Sequence, residues 1–330
     1  MFPSLDHLAS LTDDVGTIQH AFGTLPNRAT GYCTDDIARA LIVAIAHRAL
    51  DPSNPHAERI AHSSLAFLLH AQLPDGRFHN FMSYGREWLD DVGTEDSCGR
   101  ALWALGYART HARHADWRER SASAFERGLA AASGFTYLRP FAYAGLGVAA
   151  AGERGPVAAA LLGRLRDAFA ANAEGDWRWY ESRMTYDNAR LPQAQLLLAD
   201  LLDDNEAREE ALTALAFYRL QNFEGDLFSP VGNRGWLLRG GAKARFDQQP
   251  LEAAAAVDAF LTADRAGSPG ARGDAERALQ WFHGRNVLGI TLADERGGCS
   301  DGVDADGINA NRGAESTLAY LMATQTWELL

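Results

Sequence analysis

Cysteine is scarce in this chain. Cys33, Cys98 and Cys299 are three in number and cannot all pair, so a disulfide-built scaffold is excluded and reduced thiols are expected. No Cys-x-x-Cys or Cys/His spacing accompanies them. They read as small fillers of crowded loops, and no metal is expected. The histidines are scattered, with His111 and His114 on a charged segment beside Arg113. Long apolar runs are missing too. Leu41-Ile-Val-Ala-Ile-Ala46 is among the longest and is far too short to span a bilayer. No basic start leads into an apolar stretch, so no signal peptide is read and a cytoplasmic location is expected. Positive charge is in deficit, with 31 Lys and Arg against 43 Asp and Glu and a formal net charge of -12. That balance argues against a nucleic-acid or anionic-membrane partner and fits a neutral or cationic ligand. A phosphate-binding Gly-x-x-x-x-Gly-Lys-Ser/Thr, a dinucleotide Gly-x-Gly-x-x-Gly and a Gly-x-Ser-x-Gly elbow are all absent, and no cofactor is expected.

What is present is ordinary globular composition, 47% hydrophobic and 22% charged over 330 residues. The Pro- and Gly-containing stretches are short and lie between helical patterns, so residues 1–330 read as a single domain.

One pattern recurs from end to end. A loop of glycine, aromatic and acidic residues runs into an alanine- and leucine-rich helix. It occurs at Gly31-Tyr-Cys-Thr-Asp-Asp36, Gly93-Thr-Glu-Asp-Ser-Cys98, Tyr186-Asp-Asn188, Phe246-Asp-Gln-Gln-Pro250 and Asn309-Ala-Asn-Arg-Gly-Ala-Glu315. Helical periodicity dominates and β-branched alternation is rare. Six segments are apolar nearly all round: 37–50, 100–110, 141–151, 189–202, 249–263 and 313–326. A helix of that kind is buried on most of its surface. Between them lie amphipathic segments at 57–71, 117–132, 157–171, 206–221 and 274–284. A sixth partner, 2–11, would close the series against the C-terminal helix.

The repeat is irregular, roughly 45 to 60 residues, and about six pairs are present. That suggests an all-α, (α/α)6 toroid of about six helical hairpins with long loops on one rim. The alternative is an open superhelix, whose repeats are more uniform and whose loops are plainer. The longest loops, 73–95, 175–186, 223–245 and 289–311, are rich in aromatics and glycine, which points to function.

Acids collect where these loops meet the helices. Asp35 and Asp36 open the first inner helix, Glu95 and Asp96 the second, and Glu315 the last, while Asp247 precedes Pro250. Each also has a capping role available to it. A carboxylate at a helix N-terminus is held as the anion, which suits a base or a hydroxyl acceptor. Two adjacent acids such as Glu95 and Asp96 push one pKa up, as a general acid requires. Glu181 sits among aromatics with no helix to cap. Tyr32, Trp88, Trp177, Tyr180, Tyr186 and Trp236 offer ring faces suited to sugar C–H faces, and about half of such rings wedge loops together. Asn80, Asn188, Gln248, Asn309 and Asn311, with Asp35, add groups that read hydroxyls.

The segments Asp75-Gly-Arg-Phe-His-Asn-Phe81, Glu95-Asp-Ser-Cys-Gly-Arg-Ala-Leu-Trp-Ala-Leu-Gly106 and Gly313-Ala-Glu-Ser-Thr-Leu318 resemble the six-hairpin glycosidase superfamily. More narrowly, Leu11-Thr-Asp-Asp-Val-Gly16, Gly31 to Asp36, Phe246 to Pro250 and Asp301-Gly302 with Asn309 resemble a bacterial (α/α)6 group that carries a glycosyltransferase-associated label. A true glycosyltransferase needs a nucleotide-sugar site, and none is read here. The resemblance implies the toroid firmly and a chemistry only by class.

The reading that follows is a glycoside hydrolase with a carbohydrate substrate. Glu95 or Asp96, then Glu315, is favoured as acid, and Asp36, then Asp247, as base, with inversion implied by the resemblance. Three readings compete. A sugar epimerase or isomerase would, by resemblance, place histidine bases at the inner helix starts. A polysaccharide lyase would use Tyr84 with Arg86, or Tyr186 with Arg183. The last is a glycan or protein binder without turnover.

Overall fold

The computed structural model describes residues 3–330. Twelve α-helices lie among them: α1 (Asp6–Leu11), α2 (Thr34–Leu50), α3 (Ala57–Ala71), α4 (Glu95–His111), α5 (Ala115–Ala132), α6 (Leu138–Ala151), α7 (Pro156–Asn172), α8 (Arg190–Leu202), α9 (Asn205–Asn222), α10 (Pro250–Arg265), α11 (Ala271–Gln280) and α12 (Ala314–Leu329). The even-numbered helices are the apolar set. They pack in the order α2, α4, α6, α8, α10, α12, and α12 returns to α2, so the ring closes. The odd-numbered helices back them from outside. Helix α1 packs on α12 as the sixth partner; Phe2, the start of that expected stretch, lies outside the described residues. Among the described residues no helix is long and apolar enough to cross a membrane.

Composition decides which ring a helix joins. Helix α10 buries all of Pro250 to Ala263, because it carries alanine where a larger side chain would collide with its neighbours. Helices α4 and α6 approach most closely. A Cβ at Gly106 would lie 2.3 Å from the carbonyl oxygen of Gly147, and one at Gly147 would lie 2.5 Å from that of Leu102. Glycine at both positions lets the two backbones touch.

The links sort by end. Inner helix to outer helix takes few residues, as at 112–114 and 203–204. Outer to next inner takes many at 72–94, 173–189, 223–249 and 281–313, the short 133–137 between α5 and α6 excepted. All the long loops therefore crowd the rim where the inner helices begin. Short antiparallel pairs knit them, including Tyr32–Cys33 with Phe81–Met82 and Arg183–Met184 with Leu237–Leu238.

The rim acids cap helices, but mostly not their own. Helix α4 begins at Glu95 rather than Arg100, because the Thr94 side chain accepts from Ser97 N. That frees Glu95, which accepts from Thr136 N and Tyr137 N at the start of α6. Glu252 of α10 accepts from the backbone of Asp187 and Asn188 ahead of α8. Asp301 accepts from Gly313 N at the start of α12. The own-helix capping role open to Asp35, Asp36, Asp247 and Glu315 is not taken up. The residues flanking α2, α10 and α12, Cys33, Gln249 and Gly313, make no side-chain cap either.

Candidate active site

Six inner-helix N-termini point at one rim, and their partial positive charges favour carboxylates there. A cavity of about 400 Å³ opens at this mouth. Asp35 and Asp36 line it from α2, Asp96 from α4, Asp247 from the approach to α10, and Glu315 from α12. Asn80, Asn309 and Asp301 complete the polar wall, with Phe81 as an apolar face and His20 as the one histidine among its described lining residues. In a closed ring of six, α4 and α10 are diametrically opposed. Asp96 and Asp247 therefore face the cavity from opposite sides.

The acids on the α2 side are tied down. Arg39, nearly sealed from solvent, donates to Asp36 at 2.8 Å, Glu315 at 3.1 Å and Asp35 at 3.3 Å. Arg100 pairs with Asp35 and, at 2.8 Å, with Asp187. Asp187 accepts from Tyr143 Oη at 2.7 Å and lies 3.5 Å from Arg190, which pairs with Asp258 at 2.6 Å. A column of alternating charge thus runs inward from the cavity, and each buried ion finds a counter-ion. Burial pushes Asp36 up to about 7 despite Arg39, and Asp35 and Glu315 push the same way. Burial would raise Asp187 also, but Arg100 and Arg190 hold it below the ordinary carboxylate value.

Asp247 is different. Its Oδ1 is buried and has no hydrogen-bond partner among the described residues. Burial, then Asp304, raises its pKa to about 6 against the pull of Arg234. Gly302 makes room for it, since a Cβ there would lie 2.7 Å from Asp247 Oδ1. Asp96 is fixed from behind, where Tyr186 Oη donates to its Oδ2 at 2.6 Å.

A second lobe of about 510 Å³ adjoins the first and shares Thr94 and Asp96 with it. It holds Glu95, Glu181, Tyr186 and Trp236. Arg139 donates to Glu181 at 2.6 Å.

Other residues singled out from the sequence lie elsewhere. Tyr32 is buried and donates to Asp13 Oδ2 at 2.7 Å. Trp177 is buried and ties its indole to the Glu181 carbonyl, and Tyr180 is sealed between Phe169 and Trp179. Asn188 closes the turn ahead of α8 through Thr185 and Glu252. Gln248 bonds Ser229, Arg245 and Trp281 inside the protein. Trp88 stacks on His79 at 4.5 Å, and Asn311 donates to Asp301 at 2.6 Å. These side chains build the rim rather than line either lobe. Raised carboxyls are found at Asp36 and Asp247, in each case chiefly through burial.

The buried arginines Arg39, Arg100, Arg139 and Arg190 escaped the sequence reading. Their signal was available. A charged residue in the first turns of a helix apolar on every other face needs a buried counter-ion.

No family model matches this chain, and no curated protein matches its sequence. Solved structures do resemble it. A cellobiose 2-epimerase from Bacillus thermoamylovorans is 11% identical with a TM-score of 0.75, over 99% of this chain and 96% of that one. A cellobiose 2-epimerase from Spirochaeta thermophila is 14% identical with a TM-score of 0.72, over 99% and 94%. An α-mannanase from Bacteroides thetaiotaomicron is 12% identical with a TM-score of 0.61, over 91% and 86%. At such identities the likeness concerns architecture alone: the chain has an (α/α)6 toroid fold.

Proposed function

We propose that the protein is a glycoside hydrolase that inverts the anomeric centre of its carbohydrate substrate, with Asp247 as general acid and Asp96 as general base. The observation that carries this is the pair itself: two carboxylates on opposite walls of one cavity, in unlike surroundings. Asp247, partly desolvated and raised to about 6, keeps its proton into the mildly acid range and has an oxygen accepting no hydrogen bond. It gives that proton to the glycosidic oxygen as the C–O bond breaks. Water attacks the anomeric carbon from the other face and passes a proton to Asp96, held by Tyr186. The two products each gain a hydroxyl, Asp247 recovers a proton from solvent and Asp96 releases one to it. The roles favoured from the sequence are thereby exchanged. Asp35, Asp36 and Glu315, anchored on Arg39, serve as acceptors for sugar hydroxyls.

A second reading, a sugar epimerase, has support in the two cellobiose 2-epimerases, whose TM-scores exceed that of the mannanase. Proton abstraction beside a carbonyl needs a positioned base, and His20 is the one histidine among the cavity's described lining residues. No histidine stands in the first turn of any inner helix, which favours hydrolysis. One experiment separates the two. A panel of α- and β-linked gluco- and manno-oligosaccharides is incubated with the protein and followed by proton NMR. Cleavage with inverted anomers, lost in Asp247→Asn, supports the hydrolase. Epimerised sugar without cleavage, or cleavage untouched by Asp247→Asn, sinks it.

A further inference from the structure

We infer that Asp304 is a positioning residue for Asp247: its negative charge, moderated by Arg234, holds the proton on the acid and so sets the pH range over which the site works. This rests on the hydrolase reading and concerns the control of that same site.

The backbone brings the two carboxylates together. Gln248 and Val303 exchange both backbone hydrogen bonds, at 3.0 and 2.9 Å, in an antiparallel bridge. One residue further along, that register sets Asp247 opposite Asp304 as a non-hydrogen-bonded pair, the kind in which facing side chains lie closest. Side chains alternate along a strand, so positions 302 and 304 share a face. Asp247 Oδ1 lies on that face, since a Cβ on Gly302 would be 2.7 Å from it. Pairing of Gly302–Asp304 with Gly307–Asn309 steadies the strand from its other edge.

Like charges set opposite one another are unfavourable, and a proton on one of them relieves the conflict. Asp304 is the member with a counter-ion, the Arg234 guanidinium at 2.7 Å. The proton therefore falls to Asp247, where burial acts in the same sense. Arg234 is fixed beside the acid, because Arg234 N donates to Phe246 O at 3.1 Å and Asn233 N to Asp247 O at 2.9 Å. Other charges nearby are engaged. Asp301 accepts from Gly313 N, Ser316 and Asn311 while adding to the repulsion on Asp247. Lys243 and Arg245 turn to Glu224, and Arg312 to Asp294. Asp35, Asp36, Asp96, Glu315 and His20 share the cavity wall with Asp247. Asp304 and Arg234 are not among the described residues of that wall, so they act on the reaction through Asp247.

The test follows the carboxyl carbon of Asp247 against pH by NMR of protein labelled with carbon-13 aspartate, assigned by its loss in Asp247→Asn. In Asp304→Asn the titration midpoint is expected about one pH unit below that of the wild type. In Arg234→Gln it should rise, by less, and by less still in high salt, because that guanidinium is mostly exposed. The fall of kcat/KM with rising pH should move with the midpoint in each variant, leaving the plateau at low pH in place. A purely structural role would lower the plateau without moving the limb. A midpoint that stays or rises in Asp304→Asn overturns the inference even if sugars are cleaved. Should Asp304→Asn fail to fold, Arg234→Gln decides, and a midpoint that does not rise overturns it. If the midpoints move as stated while the wild type cleaves no sugar, the pairing of the carboxyls stands and the hydrolase reading falls.

Discussion

The two sides of the mouth treat the same functional group in opposite ways. On the α2 and α12 side, Asp35, Asp36 and Glu315 converge on Arg39, and Arg100 continues the pairing inward. On the α10 side, Asp247 has an oxygen with no hydrogen-bond donor among the described residues. A carboxylate locked to a guanidinium is a fixed acceptor and a poor proton carrier. A carboxylate partly removed from water, with no guanidinium bonded to it, is free to hand its proton to a group that enters the cavity. The difference teaches that the density of acids at a rim says little about which one does chemistry. The surroundings of each decide.

The strongest way to break the contrast is Asp247→Asn. Loss of a general acid should lower kcat by about 10²–10⁴-fold with the circular-dichroism spectrum unchanged. Asp36→Asn should retain far more activity; equal loss in both would erase the distinction. Next in size, Arg100→Met strips Asp35 and Asp187 of a shared buried partner. Denaturant titration should show a loss of about 3–5 kcal/mol.

The pH response sharpens the comparison. Asp36 at about 7 and Asp247 at about 6 lie above the unfolded carboxylate value of about 3.9, so the folded chain binds more protons in that interval. Their contribution to stability is present below the unfolded value and is lost as pH rises through 6 and 7. Tm should therefore rise from pH 8 to pH 5.5 more in the wild type than in Asp247→Asn, and kcat/KM should fall as pH rises through about 6. Glu95→Gln gives the smallest effect. It weakens the cap on α6 and should cost about 1 kcal/mol in denaturant while sparing the pH profile.

Much of this was legible beforehand. The six apolar helices, their amphipathic partners, the closure through residues near the N-terminus and the loop-laden rim follow from periodicity and composition. Asp35, Asp36, Asp96, Asp247 and Glu315 do share one cavity. What the pattern concealed were links across long stretches of chain. Arg100 meets Asp187, Arg139 meets Glu181 and Arg190 meets Asp258, and no local spacing marks such pairs. Capping arguments looked to each acid's own helix, whereas Glu95 and Glu252 cap neighbouring ones. Tyr180, Asn188 and Gln248 sit in loops by sequence yet are sealed inside, because long loops at a mouth need a small core of their own.

The seam where α12 returns to α2 carries a consequence for how the molecule comes into being. Arg39 and Glu315 meet there, 276 residues apart. During synthesis the first inner helix emerges with its guanidinium uncompensated on that side and waits for the last helix to arrive. Contacts of such sequence separation form late and slowly. Completion of the site should therefore be all-or-none along the nascent chain: intermediates with most of the ring in place would still lack a finished pocket.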